Sequence, residues 1–223
     1  MNILVTGGAG FVGTNLIKTL IDNDHTVVSI DNYSSGKKEN HQKGCSYYEA
    51  DLSKAFNIEK ELLVKTLDYG DFNCIYHLGA LARIQPSLIN PVHHIMNNVN
   101  STLNILEYAR IKNIPVIYSG SSSKHHGLYG SPYAWSKWSG EELCKLYSRV
   151  YKLQTTICRF YNVYGPYQLE DGDYSTVIGI FEKQYRENSP LTITGDGTQR
   201  RDFTHINDIV DGLIKCLDRK FYA

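Results

Sequence analysis

The feature that most constrains the fold of this chain lies in its first residues. A short apolar run at positions 2–6 precedes four glycines within seven residues: Gly7, Gly8, Gly10 and Gly13. The following segment, residues 11–21, carries apolar residues at helical spacing. This pattern predicts a buried strand, a tight turn and a helix whose free N–H groups point at a bound phosphate.

An acidic residue ends the second apolar run at the spacing expected for a dinucleotide site. Residues 26–30 form a strand candidate, and Asp31 follows it, 18 residues after Gly13. In dinucleotide-binding turns, a carboxylate roughly 20 residues downstream accepts hydrogen bonds from the ribose hydroxyls. A glycine turn without a ligand is the alternative, but the order of strand, turn, helix and acid favours a bound dinucleotide.

Composition excludes several other classes of protein. The chain has 223 residues, enough to bury a core, with 23 Lys and Arg against 23 Asp and Glu. Without a block of like charge, we expect neither nucleic acid nor an anionic membrane as partner. No apolar run reaches the roughly 18 residues of a membrane span, and the chain enters a core strand at once. We therefore expect a cytoplasmic protein without a signal peptide.

The cysteines and histidines predict neither a disulfide framework nor a metal site. The five cysteines are scattered and form no CxxC pair, which is typical of reduced thiols. His125 and His126 lie near the candidate site, but a metal would need three or four convergent ligands. We expect no metal, and we expect His77 and His205 to be packed and hydrogen-bonded.

The remaining sequence alternates between strand and helix patterns. This alternation predicts an α/β fold with a doubly wound parallel sheet of the Rossmann type. Further strands are expected at 46–51, 73–78, 114–119 and 154–159, and helices at 58–67, 92–110 and 131–150. The pattern then changes to a loop at 162–176, a helix at 178–187, a short strand at 191–194 and a last helix at 206–217.

Two residues after the fifth strand suggest acid–base chemistry. Tyr133 and Lys137 are four residues apart and project from one helix face. A nearby ammonium favours the phenolate and lowers the tyrosine pKa towards neutrality, which makes a general base. Such a pair is common by chance on a protein surface, but this one follows a strand end, where the ligand crevice is expected. That strand ends in a run of serines, which is either a source of a reactive hydroxyl or a plain turn.

Together these motifs resemble those of the extended short-chain dehydrogenase/reductases, in particular the NAD-dependent nucleotide-sugar epimerase/dehydratase family. The matching stretches run nearly from end to end. They are TGGAGFVG at 6–13, DN at 31–32, DL at 51–52, HLGA at 77–80, NNVNSTLNIL at 97–106, SGSSS at 119–123, YAWSK at 133–137, RFYNVYGP at 159–166 and GDGTQRRDFTHIND at 195–208.

The resemblance implies NAD as cofactor and assigns residues to it. The pyrophosphate would lie against Gly7, Gly10, Phe11, Val12 and Gly13. Asp31 and Asn32 would bind the adenosine ribose, and Asp51 and Leu52 the adenine. Further cofactor contacts are expected from Leu78, Gly79, Ala80, Asn97, Tyr133 and Lys137.

The resemblance also implies a nucleotide-sugar substrate, and a UDP-sugar is expected. Counting back from Gly127, the catalytic hydroxyl is Ser122, with Ser121 and Ser123 as less favoured choices. Ser122, Tyr133 and Lys137 would then form the catalytic group. Asn162 and Arg201 match positions that bind the substrate diphosphate, which an arginine fork suits. The alternative for Arg201 is a solvated partner of Asp202.

Three departures from the family pattern shape the prediction. Dehydratases and decarboxylases carry acids directly after the catalytic hydroxyl, whereas this chain has Ser123 and Lys124, which favours 4-epimerisation through a 4-keto sugar. The connection from Ser122 to Tyr133 is short, and the chain ends at Ala223, earlier than is usual in the family. We expect a cofactor domain at 1–160 and a small, incomplete substrate-binding part at 161–223.

Several alternatives remain open at this stage. The same scaffold serves 4,6-dehydratases and 4-ketoreductases, and a chain with an incomplete substrate part could bind NAD with little turnover. The resemblance further implies a homodimer formed by the helices at 92–110 and 133–150. Its apolar contact candidates are Ile95, Leu103, Leu106, Leu143, Leu146 and Val150.

Overall fold

A computed structural model of the chain describes residues 1–54 and 71–217. Six parallel strands form the central sheet in the order β3-β2-β1-β4-β5-β6. They are β1 (Asn2–Thr6), β2 (Thr26–Asp31), β3 (Cys45–Glu49), β4 (Cys74–His77), β5 (Val116–Ser121) and β6 (Thr155–Phe160). The order runs outward in both directions from β1 and β4, so the sheet is doubly wound, as predicted. The crevice beyond the carboxyl ends of β1 and β4 is where such sheets bind ligands.

Helices cover both faces of the sheet. They are α1 (Phe11–Asp22), α2 (Ile84–Ile89), α3 (Pro91–Lys112), α4 (Pro132–Tyr151), α5 (Val177–Arg186) and α6 (Ile206–Lys215). One core lies under α3 and α4 and includes Ile105 and Cys144, while the other lies under α1 and α6 and includes Leu16 and Leu213. None of the helices in the described part of the chain is long and apolar enough to cross a membrane.

Local sequence explains where the site-bearing helix begins. Pro132 occupies the first turn of α4, where a missing N–H costs nothing. Ser131 is the N-cap, and its Oγ accepts a hydrogen bond from Ala134 N at 3.1 Å. This start places Tyr133 in the first turn of α4 and Lys137 one turn later. Both therefore lie at the same end of the sheet as the glycine turn.

The last helix completes the core beneath the glycine turn. Ile206, Val210 and Leu213 recur at helical spacing in α6 and are buried beside α1. The buried Tyr76 of β4 donates its hydroxyl hydrogen to Leu213 O at 2.9 Å. Helix α6 thus packs on the same sheet as the first strand of the chain.

The predicted strand at 191–194 is wrong. Leu191 and Ile193 are exposed, and the side chain of Gln184 in α5 accepts a hydrogen bond from Thr192 N at 3.1 Å. The segment therefore follows the end of α5 rather than a sheet. Instead, two short strands missed by the prediction, β7 (Val163–Tyr164) and β8 (Thr204–His205), pair in parallel. Helix α2 was also not predicted, and the expected helix at 58–67 lies outside the described residues.

The apolar residues proposed for a dimer interface divide between core and surface. Leu106 is fully buried in the core, so it is not available to a partner. Leu143 packs against the same core. By contrast, Leu103, Leu146 and Val150 are exposed. The prediction of a dimer contact by Leu106 is therefore wrong, because this residue lies on the face of α3 that covers the sheet.

Candidate functional site

A cavity of about 640 Å³ opens at the carboxyl ends of the strands. It extends from the glycine turn and the end of β2 to the first turn of α4 and the loop after β6. Every site residue predicted from the sequence lines it. These residues are Gly7, Gly10, Phe11, Val12, Gly13, Asp31, Asn32, Asp51, Leu52, Leu78, Gly79, Ala80, Asn97, Ser122, Tyr133, Lys137, Asn162 and Arg201.

Close backbone packing explains why the turn needs glycine at its first and last positions. Gly7 has a φ of +71°, and a Cβ there would lie 2.7 Å from Gly79 Cα. A Cβ on Gly13 would lie 2.2 Å from Gly7 O. Helix α1 begins after Gly10, and no side chain caps its first N–H groups. The turn therefore presents uncapped N–H donors and the positive end of the helix dipole to the cavity.

Asp31 is held rigidly at the end of β2. Its two carboxylate oxygens accept hydrogen bonds from Ala9 N at 2.9 Å and Tyr33 N at 2.8 Å. Burial raises the pKa of Asp31, although these two backbone donors oppose the shift. Each oxygen retains a lone pair, so the carboxylate can still accept a hydrogen bond from a ribose hydroxyl.

Asp51 and Leu52 lie at the same end of the cavity, after β3. Asp51 accepts hydrogen bonds from Ser53 N at 3.0 Å and Ser53 Oγ at 2.6 Å. Burial acts to raise the pKa of Asp51, but the Ser53 hydrogen bonds and the Lys54 ammonium together outweigh it, and the pKa is lowered. Leu52 O accepts a hydrogen bond from Asn104 of α3 at 2.7 Å, which fixes this loop to that helix.

The opposite end of the cavity contains Tyr133 and Lys137. Lys137 is almost completely buried, and its Nζ donates to Ser119 Oγ at 3.3 Å and lies 4.5 Å from the centre of the Tyr118 ring. Burial lowers the pKa of Lys137 to about 8. The ammonium is therefore close to losing its proton in the weakly alkaline range.

The expected lowering of the tyrosine pKa is not found. Burial raises the pKa of Tyr133, and a hydrogen bond from Ser121 and the charge of Arg83 oppose this shift without overcoming it. The reason is geometric, because the Lys137 ammonium interacts with Ser119 and the Tyr118 ring. Burial destabilises the charged phenolate, and the Lys137 ammonium does not contact the phenolate to offset that cost.

The serine hydroxyl that acts on the pKa of Tyr133 is that of Ser121. Ser121 is the last residue of β5, and its Oγ also accepts a hydrogen bond from Ser123 N at 3.2 Å. Ser122, predicted as the catalytic hydroxyl, lines the same cavity one residue later. The role of Ser122 as the catalytic hydroxyl stays a prediction. The effect on the pKa of Tyr133 favours Ser121 instead, which the sequence ranked lower. Sequence position alone could not separate these adjacent serines.

The two motif histidines are packed and hydrogen-bonded, which confirms the prediction for them. His77 is fully buried, with Nδ1 2.7 Å from Thr6 Oγ1 and Nε2 3.2 Å from Thr102 Oγ1. Burial lowers the pKa of His77 to about 3, so this ring stays neutral. His205 accepts a hydrogen bond from Asn207 N and caps α6. Among the described residues, no group of three His, Cys, Asp or Glu could hold a metal ion.

One buried amide that sequence reasoning missed connects the two ends of the site. Asn98 accepts a hydrogen bond from Leu81 N at 2.8 Å and donates to Leu81 O at 3.0 Å and Ser136 Oγ at 3.0 Å. It thereby fixes the loop after β4 against the helix that carries Lys137. Its neighbour Asn97 is the residue that the sequence predicted as a cofactor contact. The two asparagines differ in which face of α3 their side chains leave from, and the sequence pattern did not show this difference.

A second cluster that sequence reasoning missed lies behind the serine turn. The carboxylate of Glu141 is buried, and its Oε2 lies 2.8 Å from Lys124 Nζ and 2.9 Å from Arg159 Nη2. Hydrogen bonds from Arg159 and Lys124 lower the pKa of Glu141, although burial opposes them. Lys124 is therefore bound to α4 and does not line the cavity.

The two residues predicted to bind a diphosphate lie on the open side of the cavity. Asn162 Nδ2 donates to Asp202 O at 2.9 Å, across the β7–β8 pair. Arg201 is exposed, and its Nη1 donates to Arg200 O at 2.7 Å. Within the described residues no ion pair joins Arg201 to Asp202, the alternative partner considered from the sequence.

Comparisons with known proteins identify the family. The model of the NAD dependent epimerase/dehydratase family matches residues 3–221. A Methanocaldococcus jannaschii protein assigned provisionally as a UDP-glucose 4-epimerase is 34% identical over 98% of this chain and 74% of its own length. A UDP-N-acetyl-alpha-D-glucosaminuronate decarboxylase of Bacillus cytotoxicus is 30% identical over 97% of this chain and 71% of its own.

The structural comparison agrees. The crystal structure of the Thermotoga maritima UDP-glucose 4-epimerase with UDP-glucose matches with a TM-score of 0.88 and 30% identity. The match covers 97% of this chain and 73% of that one. The chain thus spans about three quarters of the length of each of these three relatives.

Proposed function

The chain belongs to the NAD-dependent epimerase/dehydratase family, and we propose that it interconverts the C4 epimers of a nucleotide sugar, with a UDP-sugar as substrate. One observation carries the proposal. The acid–base candidates Tyr133 and Lys137 line the same cavity as the glycine turn and Asp31. A cofactor extending from the turn would therefore reach the reacting end of the cavity.

The cavity has the properties that NAD requires. Uncapped N–H groups face the pyrophosphate position, and Asp31 offers its carboxylate to a ribose. When bound, NAD supplies a reversible acceptor for the hydrogen at C4, and the positive charge of its oxidised ring favours the Tyr133 phenolate. The Asp31 carboxylate would repel the 2′-phosphate of NADP, so we propose NAD as the cofactor in use.

The protein residues carry the proton chemistry in this proposal. Tyr133 removes the proton from the sugar O4 as C4 is oxidised, and it returns that proton after the 4-keto sugar has turned over. The Ser121 or Ser122 hydroxyl donates a hydrogen bond to O4. Lys137 provides a buried positive charge next to this end of the cavity. No net oxidation occurs, so no second substrate is needed.

The side chains after the serine turn favour epimerisation over elimination or decarboxylation. A dehydratase needs an acid and a base for the carbons next to C4, and these would follow the catalytic hydroxyl. Here the positions are Ser123 and Lys124, and Lys124 is bound to the buried Glu141. Glu141 itself is paired with Arg159 and does not line the cavity, so it cannot replace the missing acid.

The diphosphate of the substrate would lie on the open side of the cavity. We propose that Arg201 and Asn162 bind it there, because both line the cavity at its solvent-exposed rim. A guanidinium can pair with two phosphate oxygens at once. Both residues are at the end of the cavity opposite the adenine-binding candidates.

The experiment that tests the function compares Tyr133→Phe with the unchanged chain. NAD is added, and the products from UDP-glucose, UDP-N-acetylglucosamine, UDP-glucuronate and their C4 epimers are separated and identified by mass. Loss of the phenolic proton acceptor should lower turnover on the order of 10³-fold. NAD should stay bound in calorimetry, with an affinity lower by no more than about tenfold for the one lost hydroxyl contact. Tyr129→Phe is the matched control, since Tyr129 is 87% exposed and should lose no activity.

The products also separate the alternatives. A loss of water or carbon dioxide from the sugar would establish a dehydratase or a decarboxylase instead. Consumption of added NADH would establish a ketoreductase. Binding of NAD without conversion of any of the six sugars would reduce the chain to a cofactor-binding module.

A further inference from the structure

Arg83 is a cavity-lining residue with no part in the chemistry above. It follows the loop after β4 and is the N-cap of α2, with φ +84° and ψ 143°. Glycine adopts such angles freely, whereas a residue with a Cβ is strained there. Backbone strain of this kind persists where the surrounding structure enforces it, and it is concentrated at functional sites. The chain thus tolerates strain at a position where an arginine side chain enters the cavity.

The guanidinium of Arg83 has spare hydrogen-bonding capacity. Its Nε donates to Tyr174 O at 3.0 Å, which leaves the four Nη hydrogens. Among the described residues, none accepts a hydrogen bond from these four, and no carboxylate lies within salt-bridge distance. Burial lowers the pKa of Arg83, but an arginine in a protein keeps its charge. A half-buried cation without a counter-ion is costly, and an incoming anion would relieve that cost.

The position of Arg83 shows which part of a substrate it would meet. Its charge acts on Tyr133, the proposed base. The two helices that carry these residues are joined, since Tyr133 N donates to Ser87 Oγ of α2 at 3.2 Å. The cation therefore lies at the reacting end of the cavity. The exposed Arg201 is then the arginine available to bind the substrate diphosphate.

We propose that Arg83 binds a carboxylate on the sugar ring and that the substrate is a nucleotide hexuronate. In a hexuronate the C6 carboxylate is attached to C5, directly beside the C4 that reacts at Tyr133. Two Nη hydrogens can bind both of its oxygens. This inference rests on the proposed C4 chemistry and adds the class of sugar.

The assignment has a consequence for the intermediate. A hexuronate oxidised at C4 is a β-keto acid, which loses carbon dioxide when the charge of the carboxylate moves onto the ring. Pairing with Arg83 stabilises that charge on the carboxylate. Only the C4–H and O4–H bonds then break and re-form, the C5–C6 bond is kept, and the product is the C4 epimer.

The test measures kcat/KM for UDP-glucuronate and UDP-glucose with NAD present. The unchanged chain should prefer UDP-glucuronate at least about tenfold, the effect of one charge-assisted contact. Arg83→Gln should lose about a hundredfold on UDP-glucuronate and little on UDP-glucose. Arg83→Lys should recover part of the preference, because the charge returns without the fork. Arg110→Gln is the control, since Arg110 pairs with Glu107 at the surface.

A third variant distinguishes loss of the carboxylate contact from loss of folding. Arg83→Gly relieves the backbone strain at φ +84° and should fold at least as stably as the unchanged chain, yet lose the preference for the acidic sugar. If the Arg83 variants lose both substrates equally, the residue acts only by holding the loop at Tyr174, and the inference is overturned. Carbon dioxide release from UDP-glucuronate would also contradict it.

Binding separates this inference from the proposed function. Calorimetry with the NAD-loaded chain compares the affinities of UDP-glucuronate and UDP-glucose without requiring turnover. A preference for UDP-glucuronate that disappears in Arg83→Gln supports the carboxylate site even if no sugar is epimerised. Equal affinities in the unchanged chain would refute the site even if epimerisation is observed.

Discussion

Residues 1–160 and residues 161–217 use their apolar side chains in different ways. The first region packs most of its strands into two cores with little or no exposure. In the described part of the second region, the buried apolar side chains are Ile206, Val210 and Leu213, and they complete a core of the first. Its exposed apolar residues are Tyr161, Tyr167, Val177, Tyr185, Leu191, Ile193 and Phe203.

The buried polar groups are divided in the same way. The first region buries His77, Lys137 and Glu141, whereas in residues 161–217 the buried polar side chain is Gln168. The geometry at the cofactor end is therefore determined by many packed contacts. The substrate rim, with Arg201, is held by few, so changes there should alter binding more than stability.

The largest expected difference between the regions concerns two helical glycines. A Cβ on Gly13 of α1 would lie 2.2 Å from Gly7 O, whereas a Cβ on Gly212 of α6 meets nothing within 4 Å. Gly13→Ala should destabilise the fold by at least about 4 kcal/mol and abolish NAD binding, since only backbone movement removes the clash. Gly212→Ala should stabilise by up to about 1 kcal/mol through helix propensity.

Urea unfolding and NAD calorimetry of both variants check this prediction. Equal, small effects would show that the turn can relax and that the two regions are equally tolerant. Helix α6 packs beside α1, so the two substitutions are made in neighbouring helices of the same layer.

The next effect concerns acid stability, which should arise in the first region. An unfolded histidine takes up a proton below about pH 6.5, whereas the folded pKa of His77 is about 3. Protonation between these values favours the unfolded state, so stability falls as the pH drops below 6.5, by about 1.4 kcal/mol per pH unit. At pH 4 this amounts to about 3 kcal/mol.

His77→Gln removes the titrating group but keeps hydrogen-bonding atoms for Thr6 and Thr102. Its unfolding free energy, measured by urea at pH 7 and pH 4, should fall less than that of the unchanged chain. An identical pH dependence in the two proteins would assign acid sensitivity to other groups.

The next smaller effects are on ligand affinity: a substitution in the first region should change the choice of cofactor, and one in the second region should change substrate binding. NAD should bind at least tenfold, or about 1.4 kcal/mol, more tightly than NADP because Asp31 would repel the 2′-phosphate. Asp31→Ala should narrow that ratio without changing the KM for the nucleotide sugar. Arg201→Ala should do the reverse, raising KM about tenfold with the NAD affinity unchanged. If either substitution moves both quantities, the two regions are coupled more closely than their packing suggests.

The smallest effect on folding comes from surface apolar residues, and it tests assembly. We propose that α3 and α4 of two copies form a homodimer through exposed residues such as Leu103, Leu146 and Val150. Leu146→Glu should convert the dimer to a monomer in light scattering at micromolar concentration. Ile193→Glu, in the second region and 72% exposed, should leave the mass unchanged. Each substitution should alter monomer stability by less than about 0.5 kcal/mol. A monomeric unchanged chain would contradict the proposal.

The amino-acid sequence alone determined the sheet, the glycine turn and the cofactor-binding and acid–base candidates that line the cavity. The strands of the first region are short apolar runs because both faces of the sheet are covered, and its helices carry a helical apolar pattern because one face is buried. Gly13 is required by a backbone contact with Gly7, which is close in sequence, whereas Gly7 is required by a contact with the distant Gly79. The site residues follow from their places at strand ends, which a parallel sheet brings to one edge.

Only the tertiary structure decided the features that depend on side-chain direction or on distant partners. The effect of the Ser121 hydroxyl on the pKa of Tyr133, and the pairing of Lys124 with Glu141, depend on side-chain rotations that sequence spacing does not specify. The segment at 191–194 has strand-like residues but lies against Gln184, so its local preference was overridden by its neighbour. Arg83 carried no signal in the sequence, because its strained backbone and free guanidinium hydrogens exist only where α2, α4 and the loop at Tyr174 meet.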